Sequence, residues 1–378
     1  MDFRFTPEQQ MIKTVVSQFA SEVCEPRAEE IDKTGEFPMD SFKAMAECGI
    51  TGLGFPAEYG GSGEDKLAEV IAVEEIAKVC ATQAAMLSIH GVTPWLINRF
   101  GNKDQKAAYL PRLLAGGELG AFALTEPGAG SDASRVQTTA VADGDDYILN
   151  GTKCFITGGG IASIYTIIAQ TDPAKGLKGL TAFIVEGDTP GFEIGKIEDK
   201  MGIKGSQTAE LIFTDVRVPK ANILGKMGKG FKYAMMVLDS ARIGTAAQGL
   251  GIAQGALELS IQYAKERVQF GKPIANLQGI QWYLAEMKTK LESARWMTYR
   301  AADLENRGES FTTEAAMAKL HASEVAREVT NLALQIHGGY GYMKDYPLER
   351  MYRDAKITEI YEGTSEIMKV VIASNILK

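Results

Sequence analysis

Apolar residues recur at helical spacing through the first third of the chain. In residues 7–23 they fall at Met11, Val15, Val16, Phe19 and Val23, which predicts a helix. Turn residues at 56–63 (PAEYGGSG) interrupt the pattern, and a second amphipathic segment runs from 67 to about 87. Around Gly116 and Gly117 the texture changes. Short β-rich runs follow at 147–149, 165–169, 181–185 and 210–213, punctuated by Gly, Asp and Pro. No helical pattern of ~10–15 residues separates them, so an antiparallel sheet is expected rather than a βαβ array. From about 229 the helical period returns. Leu277, Ile280, Leu284, Met287, Leu291 and Ala294 are spaced 3, 4, 3, 4, 3, which suits a helix packed on other helices. A further helix is predicted over 313–337, stopped by Gly338 and Gly339. The expected architecture is α+β in three units: an N-terminal α-helical domain (1–119), a middle antiparallel β-sheet domain (120–228) and a C-terminal helical domain (229–378).

Composition narrows the function classes. The 378 residues are 45% apolar and 23% charged, ordinary for a globular chain and far from a disordered or fibrous one. Forty basic residues stand against 48 acidic ones, a net charge of −8, so nothing draws the whole molecule to nucleic acid or an anionic membrane. Any polyanionic ligand must be met by a local cluster. No uninterrupted apolar run reaches ~18 residues, and the opening residues lack the basic and apolar blocks of a secretory signal. A cytoplasmic protein is expected. The four cysteines form no CxxC pair and the three histidines do not cluster, which argues for reduced thiols and against a metal site. Glycine is in excess: 40 residues, against a usual ~7%.

Several segments are candidates for chemistry. Gly249-Leu-Gly251-Ile-Ala-Gln254 approaches the dinucleotide fingerprint but lies in a helical pattern with Gln at the third glycine; glycines serving close helix packing is the favoured reading. Residues 124–132 (LTEPGAGSD) are either a plain loop or an anion nest built on Gly128, Gly130 and Ser131. Residues 335–341 (QIHGGYG) read as a helix C-cap. Within 360–368 (IYEGTSEIM), Glu362 is either a general base raised by apolar walls or a surface residue near the cap of a final helix at Thr364 or Ser365.

These segments together carry a family resemblance. PAEYGG at 56–61, LTEPGAGSD at 124–132, FITGG at 155–159, ERVQFGKPI at 266–274, QIHGGYGY at 335–342 and IYEGTSEI at 360–367 occur in order along the whole chain. The sequence resembles the acyl-CoA dehydrogenase family, of the short-chain, butyryl-CoA type. The resemblance implies a C-terminal four-helix bundle, an FAD cofactor and oxidation of an acyl-CoA to the trans-2-enoyl-CoA. In that chemistry a base takes the α-proton, the β-hydride goes to flavin N5, and electrons pass on to electron-transferring flavoprotein.

Residue by residue, Glu362 matches the family's base. The alternative base position, just before the arginine of the helix starting near 238, holds Ala241 here, before Arg242. Phe122, Leu124 and Thr125 match contacts to the flavin ring, with Gly130 and Ser131 in the same loop; Phe155, Ile156 and Thr157 match its other side. Gly158 departs from the Asn more common after that Thr. Arg267 and Gln269 match residues reaching the pyrophosphate from a neighbouring subunit, and Phe270, Leu277 and Gln278 match nearby flavin contacts. Gln335, Ile336, His337, Gly338 and Gly339, with Thr364, Ser365 and Glu366, complete the cofactor set. Ser131, Asp239, Arg242 and Gly363 match substrate contacts. Cofactor sites shared between subunits imply a homotetramer, a dimer of dimers. Residues 79–98 hold no Lys or Arg, and His90 is their only titratable candidate cation, which disfavours a dicarboxylyl substrate. Three other functions compete: the same reaction run in reverse as an enoyl-CoA reductase, a flavin monooxygenase on the same fold, and a non-catalytic CoA-binding scaffold. Glu362 argues against the last two.

Overall fold

A computed structural model describes residues 4–378. The helical first third comprises α1 (Pro7–Phe19), α2 (Ala28–Thr34), α3 (Met39–Glu47), α4 (Lys66–Ala77), α5 (Ala81–His90), α6 (Val92–Phe100) and α7 (Lys103–Leu114). Thr6 and Gln9 start α1 with a reciprocal capping box, and the helix runs on into a π turn over 20–24. The segment at 67–87 is two helices rather than one, broken where Cys80 turns extended. All of α5, and all of α4 except Leu67 and Glu69, is buried. With apolar side chains on every face, no polar stripe marks the break.

The sheet holds β1 (Gly120–Ala123), β2 (Thr139–Asp143), β3 (Asp146–Thr157), β4 (Ile164–Gln170), β5 (Leu180–Glu186), β6 (Phe192–Ile197), β7 (Thr208–Pro219) and β8 (Ile223–Leu224). The four predicted runs lie in β3, β4, β5 and β7. The order is β6-β7-β3-β2-β4-β5-β8, with β1 also on β4. Most neighbours are antiparallel, but β1 runs parallel to β4 from Gly120↔Ile164 to Ala123↔Ile167, and β2 meets β4 in one parallel pair, Thr139↔Gln170. The β2–β3 hairpin lies within the connection from β1 to β4, so the lack of a helical pattern there did not exclude a parallel pair.

The last third begins with α8 (Gly230–Glu266), 37 residues long. A tight hairpin, β9 (Val268–Gln269) with β10 (Lys272–Pro273), leads to α9 (Gln278–Asn306), α10 (Thr312–His337), α11 (Leu348–Ile357) and α12 (Ser365–Ile376). A Cβ at Gly251 would lie 2.3 Å from the Glu74 carbonyl oxygen, and one at Gly255 would lie 2.1 Å from that of Lys78. The glycine-rich run therefore lets α8 pack backbone-close on α4 and the residue after it. One apolar core joins the first and last thirds, with Val16, Ala72, Leu250, Leu291 and Val325 among its members. A second, including Leu96, Leu113, Leu124, Ile184 and Val237, welds helices to sheet. Buried His90 locks that junction: its Nε2 lies 3.1 Å from the Leu113 carbonyl and its Nδ1 accepts the Gly120 N–H at 3.1 Å. Among the described residues, no helix is long and apolar enough to cross a membrane.

Candidate functional site

Glu362 lies in the turn between α11 and α12. Its backbone is left-handed at φ 54, and Gly363 follows at φ 100. Two left-handed residues in succession, one of them not glycine, are costly unless the surroundings hold them. They are held from two helices. Arg242 on α8 donates from Nε to the Glu362 carbonyl at 3.2 Å, and Lys319 on α10 donates to the Gly363 carbonyl. The preceding Tyr361 hydroxyl is anchored on Gln248 of α8. Glycine suits the left-handed backbone at 363; a Cβ there would also lie 2.7 Å from Met368 Cε, the flexible end of a side chain that can move aside.

One oxygen of the Glu362 carboxylate is uncommitted: Oε2 is out of reach of solvent and has no hydrogen-bond partner among the described residues. Burial raises its pKa, and the charges of Arg242 and Lys319 oppose that rise without overcoming it. Apolar walls are thus only part of its environment. Glu362 does not cap the last helix; Thr364 does, accepting the Ile367 N–H at 3.3 Å. Asp239 and Arg242 pair below the surface: Arg242 is 5% exposed, Asp239 is half-buried, and Arg242 Nη1 lies 2.7 Å from Asp239 Oδ1. The Thr312 hydroxyl bonds the other Asp239 oxygen at 2.6 Å.

A second group forms where β1 and β3 end. The Cys154 N–H donates to the Thr125 carbonyl at 3.0 Å, bringing Phe122, Leu124 and Thr125 beside Phe155, Ile156 and Thr157. The β3–β7 register shifts between Lys153 and Ile156, and inside that irregularity Phe155 takes φ 56. The bulge re-aims its ring outward, 65% exposed, while Ile156 stays in the core. The loop after β1 is fixed from below. Fully buried Lys153 donates to the Leu124 carbonyl at 2.9 Å and to Glu126 Oε1 at 2.8 Å. Glu126 also accepts the N–H groups of Gln137 at 2.7 Å and Thr138 at 2.9 Å. Gly130 and Ser131 lie exposed further along. Neither Gly128 nor Gly130 has a positive φ, so the loop lacks the alternation of right- and left-handed residues that makes a nest.

A third group lines a cavity of about 550 Å³ at the far end of α8 and α10. Arg267, Gln269, Ile336, His337, Gly338 and Gly339, distant in sequence, meet there with Tyr263 and Tyr340. The Arg267 guanidinium lies 5.3 Å from the Tyr340 ring centre, and Tyr263 stacks on His337 at 4.0 Å. Burial lowers the His337 pKa, so the stacked ring is neutral near pH 7. Gln335 lies exposed and outside the lining. Phe270 and Gly271 form the tip of the β9–β10 hairpin with φ 53 and 76, as a type I′ turn needs, leaving the Phe270 ring 89% exposed. Leu277 and Gln278 open α9; Thr364, Ser365 and Glu366 open α12. Neither set lines the cavity, and neither Glu362 nor Phe155 does.

Family models for the N-terminal, middle and C-terminal domains of acyl-CoA dehydrogenase match residues 6–117, 121–216 and 228–377. The chain belongs to the acyl-CoA dehydrogenase family. It is 64% identical over 380 residues to an acryloyl-CoA reductase (NADH) of Anaerotignum propionicum, covering 100% of this chain and 96% of the relative. It superposes on butyryl-CoA dehydrogenase from Megasphaera elsdenii with a TM-score of 0.98 at 49% identity, over 100% of both chains. A chain from structural work on the electron transferring flavoprotein of Acidaminococcus fermentans and flavin-based electron bifurcation matches with a TM-score of 0.98 at 51% identity, again over 100% of both.

Among the residues of this acyl-CoA dehydrogenase family chain that no sequence motif marks are Lys319 and Lys153, both 0% exposed. A signal existed for the first. Ala315, Ala318, Lys319, Ala322 and Ala326 form one buried helical stripe, and a lysine there needs a partner. The middle of β3 carries no such clean alternation.

Proposed function

We propose that this protein oxidises a short, unbranched acyl-CoA to its trans-2-enoyl-CoA with FAD as cofactor, Glu362 acting as the base. The observation that carries this reading is the Glu362 carboxylate, with one buried oxygen uncommitted on a turn pinned by two buried cations. A base must offer a free lone pair and a pKa near the working pH, and burial raises this one toward neutrality. The Glu362 N–H is the donor the family resemblance assigns to the thioester oxygen, where charge develops as the α-proton leaves. The strained turn sets that N–H and the carboxylate together.

The residues present fit FAD in two pieces. Phe122, Thr125, exposed Phe155 and half-buried Thr157 offer an aromatic and hydroxyl-bearing face for the ring. Arg267, with Gln269 and Gly338–Gly339 beside it, offers a cation and polar groups for the anionic end. Bound there, FAD supplies the acceptor for the β-hydride. The ring-face residues do not line the Arg267 cavity, which supports a homotetramer whose subunits complete each other's cofactor sites. Exposed Phe270, Trp282 and Tyr342 supply apolar surface for that assembly. Electron-transferring flavoprotein is the proposed redox partner, supported by the likeness to the Acidaminococcus chain. Burial lowers His90 to about 4 and both its ring nitrogens are engaged, so α5 has no cation for a second carboxylate. This favours a monocarboxylyl substrate.

The likeness to an acryloyl-CoA reductase favours a second reading, the same site working in the reducing direction. Glu362 would then return the proton to the α-carbon. The test is anaerobic. Purified yellow protein is mixed with butyryl-, hexanoyl- or isobutyryl-CoA, and the dithionite-reduced protein with a short 2-enoyl-CoA. Bleaching by butyryl-CoA supports the oxidative direction; reoxidation much faster than bleaching supports the second reading. A colourless protein that takes up no FAD overturns both.

A further inference from the structure

Lys319 does something the family's chemistry does not require of it. A lysine with 0% exposure has lost its hydration shell, a cost that persists only against a specific gain. Among the described residues its ammonium is bonded to no carboxylate. It donates to the Gly363 carbonyl, the peptide just after the base, while Arg242 holds the carbonyl of the base itself. The two cations come from different helices, α10 and α8, and clamp consecutive left-handed residues. We propose that Lys319 is a positioning residue for Glu362, fixing the Glu362–Gly363 turn through the Gly363 carbonyl and setting a second buried positive charge beside the carboxylate. The proposal rests on the reading of Glu362 as the base.

The charged and titratable groups around the base are few. Arg242, itself paired with Asp239, faces it from α8 and Lys319 from α10. Tyr361 precedes it, and Glu359 and Glu366 flank its turn. Arg242 is already partnered by Asp239 at 2.7 Å, so its charge is shared. No carboxylate within salt-bridge distance neutralises Lys319 among the described residues. Burial drives the Lys319 ammonium down to about 8, and the Glu362 carboxylate is the chief influence opposing that fall. The attraction is mutual: each ion favours the other's charged form.

Three variants of the full-length holoenzyme separate charge from hydrogen bond. Lys319→Met removes both and fills the same volume, the substitution for a buried charge that folds best. Lys319→Gln keeps a donor without charge, and Lys319→Arg keeps both. The readouts are the pH dependence of kcat/KM for acyl-CoA oxidation, kcat at its plateau, and flavin content. With Met and Gln the acid limb moves to higher pH by about one unit, because a positive charge that favoured the carboxylate has gone. With Arg it stays at the wild-type position. At the plateau Met loses about tenfold or more in kcat and Gln less, as the turn loosens by degrees. An unmoved acid limb in either charge-free variant that folds and keeps its flavin overturns the inference, as does failure of both to fold, which would make Lys319 purely structural. Wild-type protein in the same assay keeps the two readings apart. If it oxidises no acyl-CoA, the proposed function has failed; if it does and the limb stays put in the variants, only Lys319's role has.

Discussion

Glu126 and Glu362 sit beside lysines that are 0% exposed, and their carboxylates shift in opposite directions. At Glu126 burial pushes the pKa up, but Lys153 and the N–H groups of Thr138 and Gln137 more than offset it, so the group lies below the usual carboxylate range. Both its oxygens are spoken for. At Glu362 burial wins, one oxygen is unpartnered, and the nearby lysine bonds a backbone carbonyl instead. The residue types are the same. What differs is where the lysine spends its hydrogen bond. A satisfied carboxylate fastens a loop; an unsatisfied one, kept in place by bonds to its backbone rather than its side chain, remains free to take a proton.

That contrast breaks most sharply under paired substitution. Glu362→Gln is expected to cost about 10²–10⁴-fold in kcat, the range of a lost general base, with no fall in thermal midpoint. Removing a buried carboxylate of raised pKa also removes a penalty that exists only when it is ionised. The variant's stability relative to wild type should therefore improve as pH rises through the folded pKa. Glu126→Gln reverses the pattern. It leaves Lys153 buried without its counter-charge and is expected to cost about 3 kcal/mol of unfolding free energy, measured by denaturant titration. Its effect on kcat should follow only the flavin it loses. Since the Glu126 pKa is depressed, the stability it contributes is present at neutral pH and disappears as pH falls through the folded value.

His90 gives a smaller effect of the same kind. Its pKa falls from 6.5 to about 4 through burial, so the neutral ring stabilises the helix–sheet junction fully above pH 6.5. That contribution, at most about 3 kcal/mol, should drain away between pH 6.5 and 4 and be absent from the profile of His90→Gln. Gly363→Ala is the mildest, about 1–2 kcal/mol for a Cβ at a left-handed position. Its loss of kcat should exceed its loss of stability, because the strain falls on the turn that carries the proposed base.

Two kinds of signal made the fold legible in the sequence: β-rich runs bounded by turns, even where both faces are buried, and one-sided stripes on helices. The strands at 165–169 and 181–185 stood out as β-rich runs between turns, and the stripe of α9 stood out because its other face is polar. The break between α4 and α5 did not, because both helices are buried nearly all round and polarity never alternates. The site divided the same way. Motifs brought Glu362, Arg267 and Phe155 forward, but no motif says that Phe155 is turned outward by a bulge or that Arg267 and Gly338 share a cavity 71 residues apart in sequence. Lysine is ordinarily a surface residue, so Lys319 is marked in the sequence only by its place in an alanine stripe, and Lys153 is shown to be inside only by the packing.

The most direct test is a half-reaction followed by stopped flow. Flavin-loaded wild type and Glu362→Gln are each mixed anaerobically with butyryl-CoA and watched at the flavin absorbance. Wild type should bleach, and the variant should bind the ligand, seen as a perturbed flavin spectrum, yet keep its yellow colour. Bleaching of Glu362→Gln at a rate close to that of wild type would contradict the assignment of Glu362 as the base.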